Sequence, residues 1–378
     1  MRVLIVSSRF PWPPYTGDRL RACVWLQALA GRASVTLVAP PGVVPAGVGG
    51  FTHVRAPASV TALVAAAATS VGRGLPATAL LAAGRDWRSA LAAADAVGGP
   101  FDVAVVLLAR THPWVFRHLR ARRVVLDAID ALGANLEERA RAAGSVASRL
   151  WSVEARRTMR LEREAAPRYE RVLVVAEDER AAFGGNAEAV PHGVDVLPIT
   201  DGQRDIDVAF WGRFAYFANL DATRLLLEEI WPRVRAARSG ATLQLGGAQA
   251  PGWIRDLDGS EGITVLSPLG DRAAWLRRVK VAVLSMRYGT GQSNKAMEAG
   301  EGGCAIVSTS AGVRALPDLA AVSALADDPE RIAAEIVALL SDDARRRRAG
   351  GQARRIVETV YDRTAACARL AALALGED

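Results

Sequence analysis

Residues 285–308 read SMRYGTGQSNKAMEAGEGGCAIVS, in which a glycine-rich loop precedes a short predicted helix and an apolar strand follows. A loop of this kind directs backbone N–H groups at one point, and the helix dipole adds about half a positive charge there. Lys295 adds a full charge, so the stretch predicts a receptacle for a phosphate or diphosphate. Glu298 lies on nearly the same helix face and can accept two hydroxyl hydrogen bonds, as from a ribose. The alternative is an ordinary strand-helix-strand crossover with a glycine-rich turn.

The composition is that of a globular protein with two domains. The 378 residues exceed what one hydrophobic core usually organises, and 51% of them are hydrophobic. There is no uncharged apolar run of about 18 residues, and the opening MRVLIVSSRF leads directly into a predicted strand. We therefore expect no membrane span, no signal peptide and a cytoplasmic location. The three cysteines are far apart, which predicts reduced thiols and no structural metal.

The net charge of +7 is unevenly distributed. Residues 1–195 contain 24 basic and 17 acidic residues, whereas 196–378 contain 23 of each. The arginines concentrate at 117–123 and in a predicted long helix at 136–168, where acidic residues interleave. One interpretation is a solvated, ion-paired helix face, and the other is attraction to an anionic bilayer surface or a phosphorylated lipid. Nucleic acid is not an expected partner, because no aromatic interleaving or known binding module accompanies the charge.

Apolar runs that predict strands alternate with helical patterns along the whole chain. They are continuous Val, Ile and Leu runs, which is typical of parallel strands covered on both faces. The runs are Val3–Ser7, Ser34–Ala39, Thr52–Arg55, Val103–Leu108, Arg123–Asp127, Arg171–Val175, Asp207–Trp211, Thr242–Gly246, Ile263–Leu266, Val281–Ser285 and Ala305–Ser308.

This alternation predicts an α/β fold of two Rossmann-like domains. The break lies in 184–205, where Gly, Pro and Asp cluster. We expect an N-terminal domain at 1–190, a C-terminal domain at 191–360, and a helix at 361–378 that packs back on the N-terminal domain.

Ligands of parallel sheets bind beyond the carboxyl ends of the strands, so the residues that follow each strand are the candidates. After the first strand, Gly17 permits close approach of a ligand and Asp18 suits an N-cap. His112 follows the fourth strand. Gly212 and Arg213 follow a strand of the second half, and the arginine presents a cationic fork where a diphosphate would lie. The alternatives are a plain capped helix, a structural histidine and a surface arginine.

Five motifs, in order, resemble those of the retaining nucleotide-sugar-dependent glycosyltransferases with two Rossmann domains. These are the GT-B enzymes of group 1, or family 4, which include sucrose synthase-like and lipopolysaccharide core transferases. The motifs are PWPPYTGDRLR at 11–21, PHGVD at 191–195, FWGRF at 210–214, SNKAMEAGEGG at 293–303 and SDDARRRRAGGQARRIVE at 341–358. The resemblance covers essentially the whole chain. It implies two parallel sheets facing each other across a cleft, with the acceptor bound by the N-terminal domain and the nucleotide sugar by the C-terminal domain.

The resemblance also implies roles for particular residues. Arg213, Lys295 and the N–H groups from Gly291 to Ser293 would stabilise the diphosphate leaving group, with no metal or other cofactor. His112 would hydrogen-bond the donor sugar or line the acceptor side. The residues expected to bind the donor are Gly17, Asp18, Gly212, Leu269, Thr290, Gly291, Gln292, Ser293 and Glu298.

The chain departs from the family's pattern at two places. Members often carry two glutamates eight positions apart, and here Thr290 stands eight positions before Glu298. A hydroxyl does not make the charge-assisted hydrogen bond to a sugar hydroxyl, so we expect an unusual donor sugar, for example a deoxygenated one. The family's lysine shortly after the arginine is missing from 214–221, which leaves Lys295 to supply the second charge.

The resemblance thus implies transfer of a glycosyl group, with retention at the anomeric carbon, to a glycan, lipid-linked or natural-product acceptor. A lipid-linked acceptor would place the protein at the inner face of a membrane. Two alternatives stay open. The same fold serves inverting antibiotic transferases and nucleotide-sugar 2-epimerases, although the epimerases need more acidic and histidine residues than four histidines allow. Because Thr290 breaks the paired-glutamate pattern, the second alternative is a non-catalytic nucleotide-sugar-binding protein.

Overall fold

The computed structural model of the protein describes residues 1–142, 144–198, 204–288 and 292–377. The chain forms two compact units: unit 1 consists of Met1–His192 and Thr364–Asp378, and unit 2 of Gly193–Arg363. Thr290 and Gly291, both expected to bind the donor, lie outside the described residues. The predicted α/β class is confirmed, since each unit is built on a parallel sheet with helices between its strands.

Seven parallel strands make the sheet of unit 1. They are β1 Arg2–Val6, β2 Ser34–Ala39, β3 Phe51–Arg55, β4 Phe101–Leu107, β5 Ala121–Ile129, β6 Arg171–Val174 and β7 Ala187–Ala189. Their order in the sheet is β3-β2-β1-β4-β5-β6-β7. The first seven helices of the chain belong to this unit: α1 Gly17–Leu29, α2 Val60–Arg73, α3 Ala77–Ala83, α4 Trp87–Gly98, α5 His112–Val115, α6 Leu132–Ala142 and α7 Ser145–Ala165.

The single long helix predicted at 136–168 is wrong, because the structure has two helices there, α6 and α7. Gly144, which precedes α7, has φ −65° and ψ 163°, an extended conformation through which a helix cannot continue. The two helices pack closely, because a Cβ added to Gly133 in α6 would lie 2.5 Å from Met159 Cγ in α7. The arginine-rich segment is therefore a packed helix pair instead of one rod.

Unit 2 has a six-stranded parallel sheet. Its strands are β8 Ile206–Arg213, β9 Leu243–Ala248, β10 Ile263–Leu266, β11 Val279–Leu284, β12 Ala305–Ser308 and β13 Ala324–Leu325. Their order is β10-β9-β8-β11-β12-β13. The α-helices of unit 2 are α8 Phe217–Arg224, α9 Trp231–Ala237, α10 Gly252–Arg255, α11 Arg272–Leu276, α12 Asn294–Glu301, α13 Ser310–Val313, α14 Pro317–Ala320, α15 Pro329–Ser341 and α16 Asp343–Val360. The last helix of the chain, α17 Arg363–Leu375, belongs to unit 1 from Thr364 onward.

Aspartate side chains fix where several helices of unit 2 begin. The N-cap residues of α11, α15 and α16 are Asp271, Asp328 and Asp342. Their side chains accept hydrogen bonds from the backbone N–H groups of Ala274, Arg331 and Arg345 in the first turns of these helices. Each cap satisfies an N–H group that has no partner inside the helix and is worth about 1 kcal/mol.

The strands of unit 1 are apolar throughout because they are buried on both faces. Val3 and Ile5 of β1 belong to one core cluster with Leu370 of α17, whereas Leu4 belongs to a second cluster with Leu91 of α4. All five side chains are at most 2% exposed, so the sheet separates two dry cores. The helix α17, although it follows unit 2 in sequence, thus completes the core on one face of unit 1.

Candidate functional site

The strand order of unit 2 reverses between β8 and β11, which lie side by side in the middle of the sheet. The carboxyl ends of such neighbours leave a crevice, and ligands of open parallel sheets bind there. β8 ends in Trp211, Gly212 and Arg213. The helix α12, which carries Lys295 and Glu298, reaches the same end of β8. The structure therefore brings two motifs that are distant in sequence to one edge of the sheet.

The side chain of Lys295 passes directly beside the α-carbon of Gly212. A Cβ added to Gly212 would be 3.0 Å from Lys295 Cε and 2.8 Å from Asn219 Nδ2, and the φ of this glycine is +151°. Lys295 Nζ donates a hydrogen bond to Asn219 Oδ1 at 2.7 Å, and Asn219 Nδ2 donates to the carbonyl of Arg213 at 2.9 Å. Glycine is needed at 212 because a side chain would displace either the lysine or the amide that holds it.

The surroundings of Lys295 disfavour its charge. Burial lowers the pKa of Lys295 to about 8, with Glu298 acting in the opposite direction and Arg272 adding to the decrease. Within the described residues, Asn219 Oδ1 is the hydrogen-bond acceptor that faces Nζ, and no carboxylate forms an ion pair with it. An anion bound at this edge would supply the missing negative charge.

Glu298 is held in place by two partners. Trp211 Nε1 donates a hydrogen bond to Glu298 Oε2 at 2.7 Å, and Arg272 forms an ion pair with Oε1 at 3.0 Å. The Glu298 side chain is 14% exposed, so one part of the carboxylate reaches solvent. Each carboxylate oxygen has a second lone pair, so the group can still accept hydroxyl hydrogen bonds.

Backbone groups approach each other closely where β8 and β9 end. A Cβ added to Gly247 would lie 1.8 Å from the carbonyl oxygen of Gly212, so a side chain at Gly247 would collide with the neighbouring strand. Arg213 is exposed, and its Nε donates a hydrogen bond to Gln249 Oε1 at 2.6 Å. The guanidinium is therefore tethered at one nitrogen and has its remaining N–H donors at the surface.

The start of α12 leaves its first N–H groups without a side-chain cap. Ser293 is the N-cap residue, but its side chain makes no capping hydrogen bond. The side-chain oxygen Oδ1 of Asn294 is buried and has no hydrogen-bond partner among the residues described. Gln292 is half-buried beside them. Leu269 packs against the backbone of β9, since a Cβ added to Gly246 would lie 3.0 Å from Leu269 Cδ2.

In unit 1, Gly17 and Asp18 begin α1, but the predicted N-cap role of Asp18 is wrong. The N-cap residue is Thr16, and Asp18 lies in the first turn of the helix. Its carboxylate accepts a hydrogen bond from Thr16 Oγ1 at 2.6 Å and forms ion pairs with Arg9 at 3.3 Å and Arg110 at 3.4 Å. Two arginines rather than backbone N–H groups therefore compensate this carboxylate.

His112 begins α5 and is held by aromatic neighbours. Its Nδ1 lies 3.0 Å from the hydroxyl of Tyr169, and its ring centroid lies 4.9 Å from that of Phe116. Burial, together with the nearby charges of Arg168 and Arg73, lowers the pKa of His112 to about 4. The imidazole is therefore neutral near pH 7, which suits a hydrogen-bonding role and not that of a cation.

The residues expected at the site divide between the two units. Unit 2 carries Gly212, Arg213, Leu269, Gln292, Ser293, Lys295 and Glu298, whereas Gly17, Asp18 and His112 lie in unit 1. Sequence reasoning missed four partners in unit 2, which are Trp211, Asn219, Gln249 and Arg272. Asn219 lies in the segment 214–221, which has no lysine, and its neutral amide holds Lys295 there instead.

The described residues contain neither a cluster of metal ligands nor a membrane-spanning helix. No group of three or more His, Cys, Asp or Glu residues in the described ranges is arranged to hold a metal ion. Among the described helices, none is both long and apolar enough to cross a bilayer.

Comparisons with known proteins agree with this architecture. Residues 205–342, within unit 2, match the family model described as glycosyl transferases group 1. Sucrose-phosphate synthase from Thermosynechococcus elongatus matches with a TM-score of 0.72 and 15% identity, over 100% of this chain and 99% of that chain. HepE from Anabaena, in complex with UDP-glucose, matches with a TM-score of 0.67 and 11% identity over 100% of both chains. WaaG, a glycosyltransferase involved in lipopolysaccharide biosynthesis, matches with a TM-score of 0.63 and 16% identity over 100% of both chains. A search of curated proteins gives no match.

The architecture is the GT-B fold, with two Rossmann-type units, and it is shared with these glycosyltransferase structures over the whole chain. The match to the model of glycosyl transferases group 1 lies wholly within unit 2. The resemblance drawn from the sequence motifs is confirmed at this level. The stereochemistry of transfer and the acceptor lie beyond it.

Proposed function

We propose that the protein transfers a sugar from a nucleoside diphosphate sugar to an acceptor hydroxyl with retention at the anomeric carbon. The observation that carries this proposal is Lys295, a half-buried cation that Asn219 holds beside Gly212 at the carboxyl end of β8. The structure of HepE contains UDP-glucose, which supports a nucleotide-sugar donor for this fold.

The proposed chemistry follows the charge that develops during the reaction. Cleavage of the bond between the anomeric carbon and the phosphate oxygen leaves negative charge on the diphosphate. Lys295, Arg213 and the uncapped N–H groups at the start of α12 stabilise that charge, because they are positioned before the reaction begins. The acceptor oxygen bonds to the same face of the anomeric carbon, and its proton passes to the departing phosphate oxygen. No enzyme nucleophile is required by this scheme.

Glu298 is proposed to bind the two ribose hydroxyls of the donor. Trp211 and Arg272 orient its carboxylate from two sides and leave lone pairs for the hydroxyl groups. The donor sugar is proposed to be a deoxygenated one, because Thr290 stands where the family often has a second glutamate. Unit 1 is proposed to choose the acceptor, with His112 as a neutral hydrogen-bonding group.

The first test replaces the charged groups one at a time. Arg213→Ala and Lys295→Ala should each lower kcat by about 10²–10³, since each removes a group that meets charge formed in the transition state. Glu298→Gln should weaken UDP binding by about 1–3 kcal/mol, because a neutral amide replaces a charged acceptor. Steady-state kinetics and calorimetric titration with UDP measure these effects.

A matched control is Arg278→Ala, which removes an exposed cation of unit 2 that pairs with Asp205. It should retain full activity and nucleotide affinity. Full activity in Arg213→Ala and Lys295→Ala would contradict the assignment. The next candidate to stabilise the leaving group would be Arg287, which forms an ion pair with Asp221.

The remaining alternatives separate on turnover and stereochemistry. Incubation with a panel of nucleotide sugars should give slow donor hydrolysis, and proton NMR of a transfer product should show the anomeric configuration of the donor. Binding without any turnover would favour a nucleotide-sugar-binding protein. An inverted product would favour the inverting transferases of the same fold.

We propose in addition that unit 1 contacts an anionic bilayer. The helix α7 exposes Val146, Leu150 and Val153 on successive turns, with exposed fractions of 75%, 69% and 38%. Exposed Arg149 and Arg156 lie on the same helix. Apolar side chains flanked by arginines are typical of a helix that lies in the membrane interface.

Sedimentation with vesicles rich in phosphatidylglycerol tests this contact at low and high ionic strength. The protein should pellet at low salt and be released at high salt, because exposed charges are screened beyond the Debye length. Leu150→Glu should weaken the pelleting. A protein that stays in the supernatant at low salt would leave a soluble glycan or natural product as the acceptor.

A further inference from the structure

A cavity of about 410 Å³ lies within unit 1. It is formed where the last turn of α2, the helix α5 and the second half of α7 meet. The charged and aromatic side chains that line it are those of Arg73, His112, Phe116, Arg117, Glu164 and Arg168. The cavity is of the size that holds small ligands.

The lining carries an excess of positive charge. Three guanidinium groups, those of Arg73, Arg117 and Arg168, face one carboxylate, that of Glu164. Glu164 is already engaged, because its Oε1 lies 3.7 Å from Arg160 Nε. Across the described ranges, none of the three lining arginines forms an ion pair with a carboxylate, in contrast to many other arginines of this unit. The cavity therefore has three exposed guanidinium groups and one carboxylate, which leaves it with a net positive charge.

The position of Arg73 is fixed by the fold. Arg160 of α7 donates a hydrogen bond from Nη2 to the carbonyl oxygen of Arg73 at 2.8 Å, which fastens the end of α2 to α7. On the opposite wall, the guanidinium of Arg168 lies 6.0 Å from the centre of the Phe116 ring. The backbone of Arg73 is thus held at one side of the cavity, and the guanidinium of Arg168 lies near an aromatic ring on the other.

His112 also lines this cavity. The hydroxyl of Tyr169 is buried, and within the described residues its hydrogen-bond partner is His112 Nδ1. The hydroxyl proton is satisfied if it is donated to Nδ1, which places the imidazole proton on Nε2. The low pKa of His112 reflects burial and then the nearby Arg168 and Arg73, so it also registers the positive field of the cavity.

We propose that this cavity binds a phosphate or diphosphate ester group, and, resting on the transferase function proposed above, that this group belongs to the acceptor. Guanidinium groups match the several oxygens of a phosphate through paired N–H donors, and a doubly charged anion balances the uncompensated arginines. The same chemistry is found in the headgroup of a phospholipid or lipid-linked acceptor and in a soluble sugar phosphate. The proposal assigns unit 1 an anion site separate from the diphosphate site of unit 2.

The test titrates inorganic pyrophosphate into protein saturated with UDP, so that the donor site of unit 2 is occupied. The double variant Arg73→Ala/Arg168→Ala should weaken pyrophosphate binding about tenfold or more, since it removes two guanidinium groups that donate charge-assisted hydrogen bonds. The matched control is Arg120→Ala/Arg122→Ala, which removes two arginine charges that are 82% and 86% exposed and outside the cavity lining. The control should bind pyrophosphate like the wild type.

Equal pyrophosphate binding in all three proteins, or none in the wild type, would overturn the proposal. UDP binding is measured in the same proteins and should be unchanged in both variants. Wild-type protein that does not bind UDP would instead contradict the proposed transferase function, while the pyrophosphate comparison between variants still tests the cavity.

A competition experiment then identifies the source of the phosphate. Displacement of pyrophosphate by glucose 1-phosphate in solution assigns the cavity to a soluble sugar phosphate. Displacement by vesicles of phosphatidylcholine with phosphatidic acid, but not by phosphatidylcholine alone, assigns it to a lipid headgroup. The variant Arg120→Ala/Arg122→Ala serves as the control for nonspecific attraction of a basic surface to the vesicles.

Discussion

The ammonium group of Lys295 changes its charge close to neutral pH, because burial lowers its pKa to about 8. Below that pH the group is protonated and attracts a diphosphate, and above it the group is neutral. A bound diphosphate favours the charged form and raises the pKa again. Donor binding above pH 8 should therefore be accompanied by proton uptake.

The resulting prediction concerns nucleotide affinity. The affinity of the wild type for UDP should fall as pH rises from about 7 to 9, because the free protein loses the Lys295 proton in that range. Lys295→Met fills similar space without a charge, so its affinity should be lower and independent of pH there. Calorimetric titration at several pH values measures both. The same fall in the methionine variant would show that another group titrates.

Single residues of the site differ in how far the sequence predicts them. Gly212, Lys295 and Glu298 are predicted as site residues from sequence, because each belongs to a short motif whose neighbouring residues indicate its chemistry. Asn219 and Trp211 are found only in three dimensions, since each acts through a partner far away in the chain. A neutral amide or an indole gives no signal by itself, because most such residues serve packing or loops.

The helix α1 and the strand β5 are joined by a fully buried ion pair. Arg21 Nε lies 2.6 Å from Asp127 Oδ2, and Trp25 Nε1 donates a hydrogen bond to the same oxygen at 2.6 Å. Arg21 Nη1 also donates to the carbonyl of Val190 at 2.9 Å. One carboxylate thus ties a helix to the centre of the sheet and, through Arg21, to the end of unit 1.

Asp127→Ala should destabilise unit 1 by about 3–5 kcal/mol, because it leaves the buried guanidinium of Arg21 without a counter-charge. Asp205→Ala removes an ion pair with Arg278 whose side chains are 48% and 56% exposed, and it should cost less than about 1 kcal/mol. Urea denaturation followed by fluorescence measures the two losses. Comparable losses would mean that burial is not what makes the Arg21 pair important.

At the scale of elements, the sequence predicts the apolar strands, including the four-residue edge strand β10, but not β7 and β13. β1, β2, β8 and β12 are continuous apolar runs buried on both faces, so their sequence alone marks them. β7 and β13 have three and two residues, AEA and AL, which no periodicity distinguishes from a loop. The charge pattern does not mark the break between α6 and α7, because it continues across Gly144.

At the scale of the whole molecule, unit 1 is assembled from two separate parts of the chain. The helix α17 returns to it after all of unit 2 and places Cys367, Leu370 and Leu373 in the core on one face of the first sheet. The side chain of Leu370 is 0% exposed. The stability of the first sheet therefore depends on residues that follow the second.

Leu370→Asp should destabilise unit 1 by about 3–5 kcal/mol, because it exchanges buried apolar contacts for an unpaired carboxylate. Ala368→Asp, on the exposed side of the same helix, is the matched control and should be nearly neutral. Hydrogen exchange should show weaker protection of β1 and β4 in the first variant, with β8 and β11 unchanged. Equal protection in both variants would place α17 outside the cooperative unit.

The divided assembly of unit 1 also has a consequence during synthesis on the ribosome. When His192 has been made, the face of the sheet that α17 covers, including Val3 and Ile5, still lacks its cover. Residues 193–363 must be added first, which takes roughly 10 to 35 s at the usual rate of translation. For that interval the nascent chain presents an apolar surface to the cell, so chaperone capture is expected to be strongest in ribosome complexes stalled between these two points.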